Sequence, residues 1–173
     1  LLDNKLDLKK ANNDGITPLY ILATASSNQV KDECRIDLMT LFMANGAKLK
    51  GQDKAKTPLL IRIFFSGLSS KDLKDAVTAK DLNKAKAAAK PLFDNLTFML
   101  ENGADVNEAT ETGDNLVLLA VKSNALPLEI KQELIAMLVK HGAATKQKND
   151  KKESAEALVP KGDPLYDAVR GKF

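Results

Sequence analysis

GADVNEATETGDNLVLLA, Gly103–Ala120, opens on a glycine, crosses a polar turn holding a second glycine, and runs straight into an apolar stretch. Gly-Ala also stands at Gly46 and Gly142, each time behind an apolar run. Met43, Leu100 and Val139 lie three residues before these glycines, Phe42, Met99 and Leu138 four before, and Met39, Leu96 and Ile135 seven before. Residues at those offsets share one helical face. The spacing predicts three helices with the same buried stripe. Each is stopped by a glycine, which takes left-handed backbone without a Cβ penalty.

Beyond each stop the layout repeats. AKLKGQDKAKTPLLI follows Gly46, and AATKQKNDKKESAEALV follows Gly142. LDLKKANNDGITPLYILA, ending at Ala23, has the same order of parts near the start of the chain. In Thr17–Leu19 and Thr57–Leu59 the threonine suits an N-cap and the proline the first helical position. Asn115 and Ser154 suit the same capping part. Pro91 and Pro127 are expected to start the second helices of their units. Asp163, followed by Pro164, is expected to cap a last short helix.

NDGITPLYILA (Asn13–Ala23), TFMLENGADVN (Thr97–Asn107), GDNLVLLAV (Gly113–Val121) and IAMLVKHGA (Ile135–Ala143) together resemble the ankyrin repeat. The resemblance implies an all-α, ankyrin-like solenoid of stacked helix-turn-helix repeats joined by short hairpin-like turns. It covers nearly the whole chain as a single domain, 1–173. Residues 1–13 close a preceding unit, and 14–50, 53–107 and 112–145 form repeats. Residues 149–173 form a degraded repeat or a C-terminal cap. Three departures stand out. The histidine after Thr-Pro-Leu is replaced by Tyr20, Leu60 and Leu118. From the Leu of that motif to the next Gly-Ala is 27 residues (Leu19 to Gly46) and 44 (Leu59 to Gly103), with 25 from Val117 to Gly142, where the family has about 19. Glu156 takes a leucine position in the last unit.

Residues 66–90 are the least family-like. Ser70 suits a cap, and Leu73, Ala76 and Val77 make a short stripe. Asn83–Lys90 offers alanine and lysine with almost nothing to bury, so a fraying segment is expected before Pro91. Between Ser66 and Pro91, Lys71, Lys74, Lys80, Lys84, Lys86 and Lys90 outnumber Asp72, Asp75 and Asp81 by three, matching the excess of +3 for the whole chain.

With 173 residues, 44% hydrophobic and 28% charged, the composition is that of a globular protein with a sizeable core. The apolar run Leu116–Val121 is far shorter than the roughly 20 residues of a membrane span. The N-terminus lacks the pattern of a signal peptide. It also lacks Met, which reads as a piece of something longer. Cys34 is the one cysteine, so no internal disulfide forms, as suits a reducing compartment. A cytoplasmic location is expected, or a host-cell cytoplasm for a secreted effector.

No catalytic constellation is legible. Cys34 and His141 fall in the first and third units, on the order of 20 Å apart for helices packed at 8–10 Å, too far for a nucleophile pair. Cys34 reads as a half-buried residue at a helix start and His141 as a helix-end side chain. One Cys and one His make no zinc site. The acidic run DVNEATETGDN has Thr110 where a calcium loop needs glycine. No phosphate-loop motif is present. The glycosylation triplet Asn95–Thr97 falls in a predicted helix. Phe64 and Phe65 read as core. The chain is expected to be no enzyme and to need no cofactor or metal.

The resemblance implies a protein-binding adaptor or scaffold, contacting another protein through hairpin tips and the concave face of the first helices. Tip candidates are Lys9, Asn12, Asn13, Lys50, Gln52, Lys54, Glu108, Thr110 and Glu111. Tyr20, Arg62 and Lys122 are expected on the concave face, Tyr and Arg being frequent hot-spot types. A monomer is expected. The alternative is anionic-ligand binding, to nucleic acid or a membrane surface, through residues 66–90 and perhaps Lys146–Lys152. Nucleic acid is disfavoured because neither stretch holds aromatics for stacking.

Overall fold

Gly46, Gly103 and Gly142 end helices in the same way. Each has left-handed backbone, with φ of 89°, 92° and 88°. The following alanines, Ala47, Ala104 and Ala143, donate to Phe42, Met99 and Leu138 carbonyls, each at 3.0 Å. Each glycine N–H donates to the carbonyl three residues back. These paired bonds occupy helix-terminal carbonyls that would otherwise lack partners.

A computed structural model describes residues 7–25, 29–49 and 55–172. Among these residues it is all-α: α1 (Pro18–Thr24), α2 (Asp32–Ala44), α3 (Leu59–Leu68), α4 (Lys71–Thr78), α5 (Leu82–Glu101), α6 (Leu116–Lys122), α7 (Leu128–Lys140), α8 (Ala155–Leu158) and α9 (Tyr166–Val169). The glycines Gly46, Gly103 and Gly142 follow α2, α5 and α7.

Three polar turns share one hydrogen-bond pattern. Asn12, Thr110 and Asn149 donate their backbone N–H to Ile16, Asp114 and Glu153 carbonyls at 2.9, 3.0 and 2.9 Å. The left-handed residue in each is Gly15, Gly113 and Lys152, and the next helix is capped two residues later. Thr17, Asn115 and Ser154 accept from Tyr20, Leu118 and Ala157 amides, as their side chains predict. Lys56 is also left-handed, which puts Pro58 at the cap position of α3. The Thr57–Leu59 motif is therefore one residue out of register with Thr17–Leu19.

Helices α1, α3, α6 and α8 pack side by side in sequence order, and α2, α5, α7 and α9 do the same. Each member of the first set packs on one of the second: α1 on α2, α3 on α5, α6 on α7, α8 on α9. The apolar residues between the two rows form one contiguous cluster. Met39, Leu96 and Ile135, seven residues before the glycines, are completely buried. Each such side chain stabilises the fold by about 1.5–3 kcal/mol.

Residues 66–90 depart from expectation. Helix α5 starts at Leu82, where the Asp81 carboxylate accepts from the Lys84 amide at 3.0 Å. It continues through Pro91, which lies inside the helix and starts nothing. The expected fraying segment is helix because it does have something to bury. Ala85 and Ala89 are fully covered, Ala89 beside Ile130 and Glu133 of α7, and α4 packs along α5. Helix α4 contributes Leu73 and Ala76 to this contact, with Val77 half-buried. Pro127 does immediately precede α7. Asp163 caps a turn, its carboxylate accepting from the Leu165 amide at 2.8 Å. Helix α9 begins only at Tyr166. Cys34 is exposed, correcting its half-buried assignment. No helix among the described residues is long and apolar enough to cross a membrane.

Candidate functional site

The helix starts define which residues of the first row share a position. Counting from each cap, Ile21, Arg62, Leu119 and Leu158 occupy equivalent places on α1, α3, α6 and α8. Because these helices pack side by side, equivalent positions face the same way. Ile21 is 57% exposed and Leu158 40% exposed. Arg62 is exposed and Leu119 half-buried. One turn further along α3, Phe65 is 39% exposed. The α1 side chains on either side of Ile21, namely Leu19, Tyr20, Leu22 and Ala23, are buried. Periodicity within α1 thus leaves only Ile21 to point outward.

Of the three residues expected on this face, Arg62 is there. Tyr20 is not: it is 3% exposed and belongs to the core, because Thr17 caps α1 and turns the third helical residue inward. Lys122 is engaged within the protein. Its ammonium meets the Glu153 carboxylate at 2.7 Å and Asp114 at 3.2 Å. The Glu153 hydrogen bond is the main reason its pKa is held above the ordinary Lys range. Phe65 corrects the core assignment of the Phe64–Phe65 pair, in which only Phe64 is buried; the rings lie 5.6 Å apart.

The tip candidates divide. Lys9 and Asn13 are exposed. Asn12 folds its turn, its side-chain oxygen accepting from Asp14 and Ile16 amides at 2.9 and 3.0 Å. Thr110 does the same for the Asp114 amide at 3.1 Å. Glu108 is half-buried. Glu111 is exposed and pairs with Lys56 at 2.5 Å. Lys50, Gln52 and Lys54 lie outside the described residues.

Behind Lys122 runs a polar network that the sequence did not disclose. Asn149 donates to Asp114 at 2.8 Å and to Glu153 at 2.9 Å. Partial burial pushes the Asp114 carboxyl up. The hydrogen bonds from Asn149, Lys122 and Thr112 outweigh that and hold it below its ordinary value. Hydrogen bonds from Lys122 and Asn149 lower Glu153 likewise. Asn115 and Asn107 extend the bridging, reaching the Ala144 carbonyl and amide at 3.1 and 2.7 Å. The network links successive polar turns.

The lysine-rich segment is partly neutralised. Lys84 pairs with Asp81, Lys86 with Glu133 and Lys90 with Asp94. Among the described residues no group of His, Cys, Asp and Glu is placed to hold a metal ion.

No protein-family model matches this chain, and no curated protein is significantly similar to it.

Proposed function

We propose that the chain is an ankyrin-like solenoid and acts as a protein-binding adaptor, gripping its partner along the exposed face of α1, α3, α6 and α8. The row Ile21, Arg62, Leu119 and Leu158, with Phe65 beside it, carries this reading. Ile21 on α1, Phe65 on α3 and Leu158 on α8 leave apolar surface outward on packed helices, with Arg62 among them, and a partner docking on such a pre-ordered face costs little conformational entropy on the module's side. The alike helix stops, alike turns and paired helix rows support the repeat architecture. The reading assigns no catalytic group and no cofactor, and it leaves any chemistry to domains or partners joined to this one.

The test is affinity capture from lysate of the source cells, with the wild-type chain and an Ile21→Glu/Phe65→Glu variant. Both sites are exposed, so circular dichroism is expected to be unchanged. The variant is expected to lose the captured protein by at least about tenfold. Retention of the same partner at full yield sinks the assignment of this face. A capture abolished instead by moderate salt, and by charge reversal at Lys71 and Lys74, would favour the anionic-ligand alternative.

A further inference from the structure

Successive polar turns meet through the same positions, counted from the left-handed residue of each. A Cβ on Gly113 would come within 3.0 Å of the Asn149 Cα, so the turns 110–114 and 149–153 are in contact. The Asp150 amide, two residues before left-handed Lys152, donates to the Thr112 carbonyl at 3.0 Å. That carbonyl stands one residue before left-handed Gly113. An earlier turn reaches forward with a side chain instead. Left-handed Lys56 pairs with Glu111, two residues before Gly113, at 2.5 Å. On its forward edge a turn thus offers two groups to the next one: the carbonyl before the left-handed residue, and the side chain of that residue where it has one.

The turn 149–153 offers both groups, and no described turn of this kind lies beyond it to take them. It is built like its neighbour: the Lys152 amide donates to the Asn149 carbonyl at 2.9 Å, as the Gly113 amide does to Thr110 at 2.9 Å. Among the described residues the Lys151 carbonyl accepts no hydrogen bond and the exposed Lys152 ammonium pairs with no carboxylate. A lysine with φ of 62° is strained where Gly15 and Gly113 are not. Lys56 bears the same strain and has a carboxylate to hold. Lys146, Lys148 and Lys151 are exposed on the same stretch, where Asp150 is the one acid between residues 144 and 152. We propose that this edge docks an acidic segment of a partner protein. A partner N–H donates to the Lys151 carbonyl and a nearby carboxylate pairs with Lys152, repeating between molecules the contacts made by Asp150 and Glu111. Phosphodiesters supply the charge but no N–H for that carbonyl, so a protein segment fits better than nucleic acid. The edge is separate from the Ile21–Leu158 row and does not require that row to bind.

The experiment is a ¹⁵N NMR titration of this chain, at low salt, with the peptide DVNEATETGDN, the sequence of residues 105–115 that holds Glu111. A second peptide carries Asn and Gln in place of every Asp and Glu. The acidic peptide is expected to shift the Lys152 amide, which shares a peptide unit with the Lys151 carbonyl. The neutral peptide is expected to bind at least about fivefold more weakly. Lys152→Gly keeps the left-handed backbone and is expected to weaken binding about two- to fivefold. Lys74→Gln removes the same charge from α4 and is expected to leave affinity unchanged. Vesicles of phosphatidylcholine with about 30% phosphatidylserine are expected to leave the Lys152 amide unshifted. Absence of shifts at about 5 mM acidic peptide overturns the inference. So does equal binding of the neutral peptide, or an equal loss in Lys74→Gln and Lys152→Gly, which would mean that only net charge is felt. A Lys152 shift with vesicles would assign the turn to a membrane surface and overturn it as well.

Discussion

The turns at Thr110–Asp114 and Asn149–Glu153 and the α4–α5 hairpin are held to their neighbours by opposite means. Successive turns are tied by Asn107, Asn115, Asn149 and the Asp114–Lys122–Glu153 bridge. These contacts are directional, so they fix spacing between turns that have little apolar surface to offer. The α4–α5 contact is apolar on the α4 side, where Leu73 and Ala76 are buried. Its side-chain hydrogen bonds serve helix ends and exposed ion pairs and do not link α4 to α5. Apolar contact sets no fixed bond geometry. The same hairpin borders a cleft lined by Asn95 and Leu92 of α5 and by Ser70 and Lys71 at the start of α4. Between the two bridged turns, α6 and α7 are joined by only the short connection 123–127.

The sharpest way to break this comparison is Leu73→Ala. Leu73 is the most buried side chain of α4, and removing it is expected to cost about 2–5 kcal/mol in urea unfolding. A loss under about 1 kcal/mol would mean α4 is only loosely docked on α5. Next comes Gly113→Ala against Gly142→Ala. Both glycines are left-handed, so each substitution is expected to cost roughly 1–2 kcal/mol. At Gly113 the new Cβ would also meet the Asn149 backbone at 3.0 Å, whereas at Gly142 it meets nothing within 4 Å. Gly113→Ala is therefore expected to be the worse of the two; equal losses would show that the turns are not closely apposed.

Lys152 holds the place of Gly15 and Gly113, with φ of 62°. Lys152→Gly is expected to raise stability by about 1 kcal/mol by relieving left-handed strain. A loss of stability would break the equivalence of the turns. The smallest effect is electrostatic, because the Lys122 bridge is partly solvent-exposed. Asp114 and Glu153 are lowered in the folded state, so their contribution is present above their ordinary values of 3.8 and 4.5. It is lost as pH falls through the folded values. Lys122 is raised, so its contribution is present below its ordinary 10.5 and lost as pH climbs through the folded value. Melting curves of Lys122→Met are expected to fall less on acidification than those of the wild type. Parallel curves would show that the bridge contributes nothing.

Helix ends were the most legible part of the chain. Gly46, Gly103 and Gly142, the caps at Thr17, Asn115 and Ser154, and the start of α7 after Pro127 follow local rules, since each depends on a residue's own backbone freedom or its reach to a nearby amide. The register of α3 was hidden because its left-handed residue is Lys56, a type that no local rule marks for that conformation. The run through Pro91 was hidden because Asp81 caps the helix ten residues upstream and neighbouring helices cover Ala85 and Ala89. Among site residues, the inward turn of Tyr20 and the outward turn of Ile21 depend on the start of α1 and were within reach of a stricter periodicity count. The engagement of Lys122 was not, since Glu153 comes from the next turn.

By itself the sequence determined the all-α character, the repeated stop-turn-cap order and the stripe that each helix buries. These rest on φ preference, capping and 3.6-residue periodicity, which act within about a turn of chain. Tertiary structure decided which residues are spent inside and which face outward. That choice depends on helices brought together from far along the chain, where an alanine stripe is covered and a lysine finds two carboxylates.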